Sequence, residues 1–174
     1  MSLFFAEHGP TSASEDGIIE YEYEPLSDAG IAVAREIGRN LLQLLGERKL
    51  HYMMVPPTKR ALQTAQLVRE GLPYGDFVQH VLEDRLVPRR MATYTGTSVN
   101  TVPWQDESAL AFNGVESLED VQARHDDLAS EIRNEWRTMN GLIIGHNSSI
   151  RPLTAIANMP EAQLQQGQLL VLEP

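Results

Sequence analysis

The chain predicts an α/β protein, a three-layer α/β/α sandwich around a largely parallel central sheet. Two observations carry this. Short apolar runs alternate with amphipathic helical segments along the sequence, which is the pattern of strands joined by helical crossovers. In addition, two of the runs share one ending. Phe4-Phe5-Ala6-Glu7-His8-Gly9 and Leu142-Ile143-Ile144-Gly145-His146-Asn147 each read as a buried strand that delivers a histidine at its carboxyl end. Ligands bind at the carboxyl ends of strands in open α/β sheets, so two parallel strands would bring His8 and His146 to one rim.

The elements follow in order. Gly9 permits a sharp turn after the first strand, and residues 10–26 read as a loop, since Pro10, Thr11-Ser12-Ala13-Ser14 and Gly17 are turn formers. Glu15, Asp16, Glu20, Glu22 and Glu24 read as a solvated acidic face, with Ile19–Glu24 alternating as a short exposed strand would. Ser27 caps a helix over residues 28–46, with Val33, Ile37, Leu41, Leu44 and Leu45 at helical spacing and Gly46 as terminator. His51–Val55 is a second strand, stopped by Pro56-Pro57. A helix from Thr58 to Gly71 turns Ala61, Leu62, Ala65 and Val68 inward, and Phe77–Leu82 is a third strand. Residues 83–115 lack periodicity and carry Pro88, Gly96, Pro103 and Gly114. So long an irregular stretch suits a lid over a pocket. Ser117 and Asp120 resemble a capping box opening a helix that buries Leu118, Val121, Leu128, Ile132 and Trp136. A last helix over 149–158 and a strand Leu169–Leu172 complete a single domain over residues 1–174.

Composition narrows the function. With 174 residues, 42% apolar and 22% charged, the chain is ordinary for a soluble globular domain. It has no cysteine, so thiolate chemistry and disulfides are excluded. The N-terminus lacks a basic segment followed by an apolar run, and no stretch nears the roughly 18 apolar residues of a membrane span. A cytoplasmic protein with no membrane partner is expected. The formal charge of −10 argues against nucleic acid but allows a small anion in a locally positive pocket. His, Asp and Glu show no metal-ligand spacing, so no cofactor is expected. Self-association stays open.

Five ordered landmarks resemble the histidine phosphatase superfamily, the phosphoglycerate mutase-like proteins. Glu7-His8-Gly9-Pro10-Thr11 stands where that family has Arg-His-Gly-x-Thr. Pro25-Leu26-Ser27-Asp28-Ala29-Gly30 looks like its Leu-Ser/Thr-x-x-Gly helix entry, and Arg60-Ala61-Leu62-Gln63-Thr64-Ala65 matches its Arg-Ala-x-x-Thr-Ala segment. Glu116-Ser117 with Asp120 and Arg124 is similar to its Glu-Ser-x-x-Asp-x-x-x-Arg helix, and Gly145-His146 with Ile150-Arg151 to its second histidine site.

The resemblance implies a phosphohistidine route for a small phosphorylated metabolite. His8 would be the nucleophile, with a backbone carbonyl fixing its reactive tautomer. His146 would donate to a phosphoryl oxygen, and Arg60 would offer a planar fork of donors to the same oxygens. Gly9, Thr11, Ser14 and Asn147 are the further phosphate-binding candidates. His51, His80 and His125 match no motif and read as structural or exposed. Arg124 and Arg151 read as scaffold ion pairs, and Trp104 and Trp136 as core or lid anchors.

The sequence also departs from the family pattern. Glu7 replaces the arginine that would bind the phosphoryl group, and a carboxylate about 5 Å from that charge would be repelled by roughly 3 kcal/mol per charge pair at an effective dielectric near 20. The family's general acid is absent from its place, where Asp84-Arg85-Leu86-Val87 runs into Pro88-Arg89-Arg90, and Ser14 replaces an asparagine. Glu83 lies near in sequence. Two readings remain. One is a phosphatase with weakened or atypical catalysis, in which Glu7 supplies a carboxylate while Arg89 or Arg90 restores the positive charge. The other is a catalytically inactive phosphate-ester-binding or regulatory domain.

Overall fold

The computed structural model describes residues 2–136, 138–149, 153 and 167–172. Five strands form one sheet in the order β3-β2-β4-β1-β5. They are β1 (Leu3–Glu7), β2 (Tyr52–Val55), β3 (Gln79–Leu82), β4 (Gly141–Gly145) and β5 (Leu169–Leu172). β1 pairs with β4, β4 with β2 and β2 with β3, all parallel, whereas β5 runs antiparallel to β1 at the edge. The central strands are apolar at almost every position because both sheet faces are covered.

One face carries α2 (Asp28–Leu45) and α3 (Lys59–Glu70) over Phe4, Ala6, Met53, Val55, Leu142 and Ile144. The other carries α5 (Leu118–Glu131) and the π-helical turn Ile132–Trp136 over Phe5, Tyr52, Met54 and Ile143. Successive strand residues therefore serve opposite cores. Ser27 caps α2 by accepting from the Gly30 amide, and Gly46 ends it with φ 58°. Ser117 caps α5 by accepting from the Asp120 amide at 3.0 Å while its hydroxyl donates to the Asp120 carboxylate at 2.7 Å, a side-chain pairing in place of the backbone reciprocity of the expected capping box.

Several expectations shift. Thr11-Ser12-Ala13-Ser14 is not a plain turn. The Ser14 amide donates to Thr11 Oγ1 and the Thr11 amide to Ser14 Oγ, and this reciprocal cap opens the one-turn helix α1 (Ser12–Glu15). Ile19–Glu24 forms no strand: an isolated bridge joins the preceding Ile18 to Ser98, and Tyr21 and Tyr23 stack on each other. The third strand starts at Gln79, leaving Phe77 exposed. Leu44 and Leu118 face solvent rather than the core. Of the helix expected over 149–158, only Ser149 and Leu153 fall within the described residues.

Residues 83–115 fold into short 3₁₀ turns and α4 (Glu107–Phe112) around a small core of Met91, Val102, Leu110 and Val115. Arg124 on α5 fastens this segment, bonding both Glu116 oxygens and the carbonyls of Arg85 and Pro88. Trp136 packs on Tyr52, whereas Trp104 lies at the surface with its Nε1 donating to the Val99 carbonyl. Arg151 lies outside the described residues. Among the described residues, no helix is long and apolar enough to cross a membrane.

Candidate functional site

β1 and β4 are hydrogen-bonded neighbours in register, with Glu7 opposite Gly145, so the residue after each strand emerges at the same rim. Those residues are His8 and His146, whose ring centroids lie 4.7 Å apart. The close passage that lets β1 turn away depends on two glycines. A Cβ on Gly9 would collide with the Gly30 backbone, and one on Gly30 with the Pro10 carbonyl.

The tautomers follow from the partners. His8 Nδ1 lies 2.7 Å from the Gly9 carbonyl and His146 Nδ1 3.3 Å from the Leu86 carbonyl. A carbonyl only accepts, so both Nδ1 atoms carry the proton and both Nε2 atoms present a lone pair. Both lone pairs face Arg60, whose Nε donates to His8 Nε2 at 3.2 Å and whose Nη2 donates to His146 Nε2 at 3.0 Å. Arg60 lies in the first turn of α3, is 1% exposed, and also donates from Nη1 to the Tyr21 carbonyl at 2.9 Å. Burial, then the Arg60 charge, pushes His8 down to about 3 against the opposing pull of the Gly9 carbonyl. Burial, His8 and Arg60 hold His146 well below the ordinary histidine range. At neutral pH both rings are uncharged.

A carboxylate completes the group. Glu20 Oε2 lies 3.3 Å from Arg60 Nε, and its Oε1 accepts from the Thr11 hydroxyl at 2.6 Å. Burial lowers Arg60 from its ordinary value, and the charges of Glu20, Glu22 and Glu24 oppose that shift. Sequence reasoning placed Glu20 on a solvated face. The signal that it belongs to the site is its contact with Arg60, a long-range pairing that no local pattern encodes.

Glu7 is almost fully buried and does not pair with Arg60; its Oε2 accepts from Asn147 Nδ2 at 2.9 Å. Burial first, then the charge of Glu20, raises its carboxyl to about 7, against the pull of the Asn147 backbone amide. Near neutrality this carboxyl is thus divided between its acid and its anion. Asn147, a phosphate-binding candidate, spends its side-chain donor on Glu7.

The other candidates divide. The Gly9 amide donates to Thr64 Oγ1 at 3.2 Å, and Thr11 is buried as a cap and as the Glu20 donor. Ser14 lines a cleft of about 660 Å³ together with Arg60, Glu20, Tyr21, Arg89 and Arg90. Arg89 donates to the Glu116 carbonyl at 2.7 Å and to Glu107 at 2.9 Å, while Arg90 pairs with Glu116 at 3.8 Å. Their charge is engaged by Glu107 and Glu116, and Arg60 is the guanidinium that contacts both histidines. Glu83 is turned into a network with Arg85, accepting at 2.7 to 2.9 Å. Burial alone would raise its carboxyl, but the Arg85 hydrogen bonds and charge hold it below the usual range. His125 donates to the Val121 carbonyl and His51 accepts from the Asn140 amide, both structural contacts. Among the described residues, no three His, Asp or Glu side chains converge as metal ligands.

A family model for the histidine phosphatase superfamily (branch 1) matches residues 3–172. No curated protein sequence matches the chain significantly. Solved structures share the fold at low identity. Bacillus stearothermophilus YhfR is 19% identical with a TM-score of 0.79, covering 99% of this chain and 90% of its own. A protein described as a putative alpha-ribazole-5'-P phosphatase from Escherichia coli is 20% identical with a TM-score of 0.76, covering 98% and 89%. A mycobacterial glucosyl-3-phosphoglycerate phosphatase is 20% identical with a TM-score of 0.72, covering 98% and 91%.

Proposed function

The chain belongs to the histidine phosphatase superfamily, and from that premise we infer that it hydrolyses a small phosphate monoester through a phosphohistidine on His8, with attenuated catalysis. The observation that carries the reading is the pair of neutral Nε2 lone pairs facing one buried guanidinium. His8 Nε2 is nucleophilic because its proton is held at Nδ1 by the Gly9 carbonyl. An incoming phosphoryl group would draw the Arg60 donors from the two rings onto its own oxygens, which frees the Nε2 lone pair to attack phosphorus. The approaching phosphoryl anion would favour a proton on His146, which then becomes a donor to the phosphoryl oxygens. The phosphatases among the structural neighbours support a small phosphorylated substrate.

Attenuation rests on Glu7. Where a cation would attract the phosphoryl group, the rim carries a carboxyl near its titration midpoint. A second reading, phosphate-ester binding without turnover, is favoured by the same residue together with the hold of Glu20 on Arg60.

Hydrolysis of 4-nitrophenyl phosphate tests both. Slow turnover is expected in the parent, none in His8→Ala, and at least a tenfold gain in Glu7→Arg, corresponding to about 1.4 kcal/mol of transition-state stabilisation. Turnover that survives in His8→Ala would overturn the mechanism. A silent parent that still binds phosphate, and loses that binding in Arg60→Ala, would favour the binding reading.

A further inference from the structure

The phosphohistidine route needs a proton donor for the departing alcohol. Of the carboxyls near the histidines, Glu83 is committed to Arg85 and Glu7 to Asn147. Glu20 differs from both in three respects. It lines the 660 Å³ cleft that Arg60 also lines, on the open side of the guanidinium that touches His8. Its Oε2 touches the same Arg60 Nε that touches His8 Nε2, at 3.3 and 3.2 Å. Its other oxygen is fixed by the Thr11 hydroxyl at 2.6 Å, and Thr11 is itself fully buried as the cap of α1. The carboxyl is therefore oriented by a rigid partner, and its other oxygen pairs with a guanidinium that substrate would claim.

We propose that Glu20 is the proton donor and acceptor of this site, taking the place of the acid missing after Leu86-Val87. The inference rests on the phosphatase reading above. The ester enters as its monoanion; as its oxygens draw Arg60 away, the released Glu20 carboxylate takes that proton from the phosphate. In the first step His8 Nε2 forms the N–P bond. The P–O ester bond breaks, and its electron pair leaves on the ester oxygen, which takes the proton from the Glu20 carboxyl. In the second step the Glu20 carboxylate takes a proton from water as the water oxygen attacks phosphorus. The N–P bond breaks and its electron pair returns to Nε2. The sum is ester plus water giving alcohol plus phosphate, with Glu20 and His8 restored.

The leaving group provides the test. Phenol, with a pKa of about 10 like the tyrosine side chain, needs a proton as it departs, whereas 2,4-dinitrophenolate leaves without one. The parent, Glu20→Gln, Glu7→Gln and Glu22→Gln are compared on phenyl phosphate and 2,4-dinitrophenyl phosphate. Glutamine keeps an oxygen for the Thr11 hydroxyl, so the loop geometry is retained. Glu20→Gln is expected to lose roughly 10²–10⁴-fold in kcat/KM on phenyl phosphate, the usual worth of a positioned acid, and to widen the ratio between the two esters at least about 30-fold. Equal losses on both esters would mean that Glu20 only holds Arg60, and the proposal falls while the phosphatase reading stands. A widened ratio in Glu7→Gln or Glu22→Gln and not in Glu20→Gln assigns the proton elsewhere and also overturns it. A parent inert towards both esters removes the phosphatase reading, and this step with it.

Discussion

Glu7 shows what one residue does to this site. In the unfolded chain its carboxyl titrates at 4.5, and in the fold burial and Glu20 raise it to about 7. The folded state then holds more protons than the unfolded state between those values, so stability falls as pH rises through the window. The cost is absent below the unfolded value and complete above the folded one, where it reaches about 3 kcal/mol at 1.36 kcal/mol per unit. Glu7→Gln keeps an oxygen for Asn147 and cannot ionise. Urea melts at pH 4 should leave parent and variant alike, and melts above pH 8 should favour the variant by about 3 kcal/mol. A difference that does not vary with pH would remove the assigned shift. His8 acts with the opposite sign of charge: its value falls from 6.5 to about 3, so the stability it contributes is lost as pH drops through that range.

At the scale of elements, two arginines tie the segment 83–115 to α5: Arg85 pairs outward with Asp127 and Glu131, and Arg124 reaches back from the helix. The Arg124 fork reaches both Glu116 oxygens and the carbonyls of Arg85 and Pro88 while its side chain is 14% exposed. Lysine offers one ammonium in place of that planar fork. Arg124→Lys should lose roughly 1–3 kcal/mol, less than full truncation because the charge persists. Amide exchange should quicken at Arg90, whose amide donates to Glu116, ahead of the β-strands. Unchanged exchange at Arg90 would show that the segment is fastened elsewhere. The sequence made α2, α3 and α5 legible because each has a helical apolar spacing, with a capping serine ahead of α2 and α5, and both histidine strands because each is a continuous apolar run. It hid α1, whose single turn depends on reciprocal bonds between Thr11 and Ser14 rather than on periodicity. Helical spacing alone also misplaced Leu118, which faces solvent in the first turn of α5. The two histidines and Arg60 were legible as motifs. Their shared contact, and the entry of Glu20 into it, arise from residues far apart in the chain that only the folded sheet brings together.

For the molecule as a whole, among the described residues the sheet keeps its two large cores apart, one on each face. Ile144 belongs with Phe4, Met53 and Val55 under α2 and α3, whereas its neighbour Ile143 belongs with Phe5, Met54 and Leu128 under α5. Both isoleucines are fully buried. Removing one methyl group from either should cost about 0.5–1.5 kcal/mol through lost burial and an unfilled space. The two losses fall in different cavities, so side chains that relax around one have no contact with the other. Ile143→Val and Ile144→Val should therefore add in the double variant to within about 0.5 kcal/mol, although the residues are adjacent in the chain. By contrast, Ile144→Val with Val55→Ala lies within one core, where the gaps can merge or be filled by a common neighbour, and its coupling should exceed that bound. Denaturant melts of the six proteins in this comparison decide it. Strong coupling between Ile143 and Ile144 would mean that the sheet transmits strain between its faces, and that the two histidines at its rim respond to packing on either side.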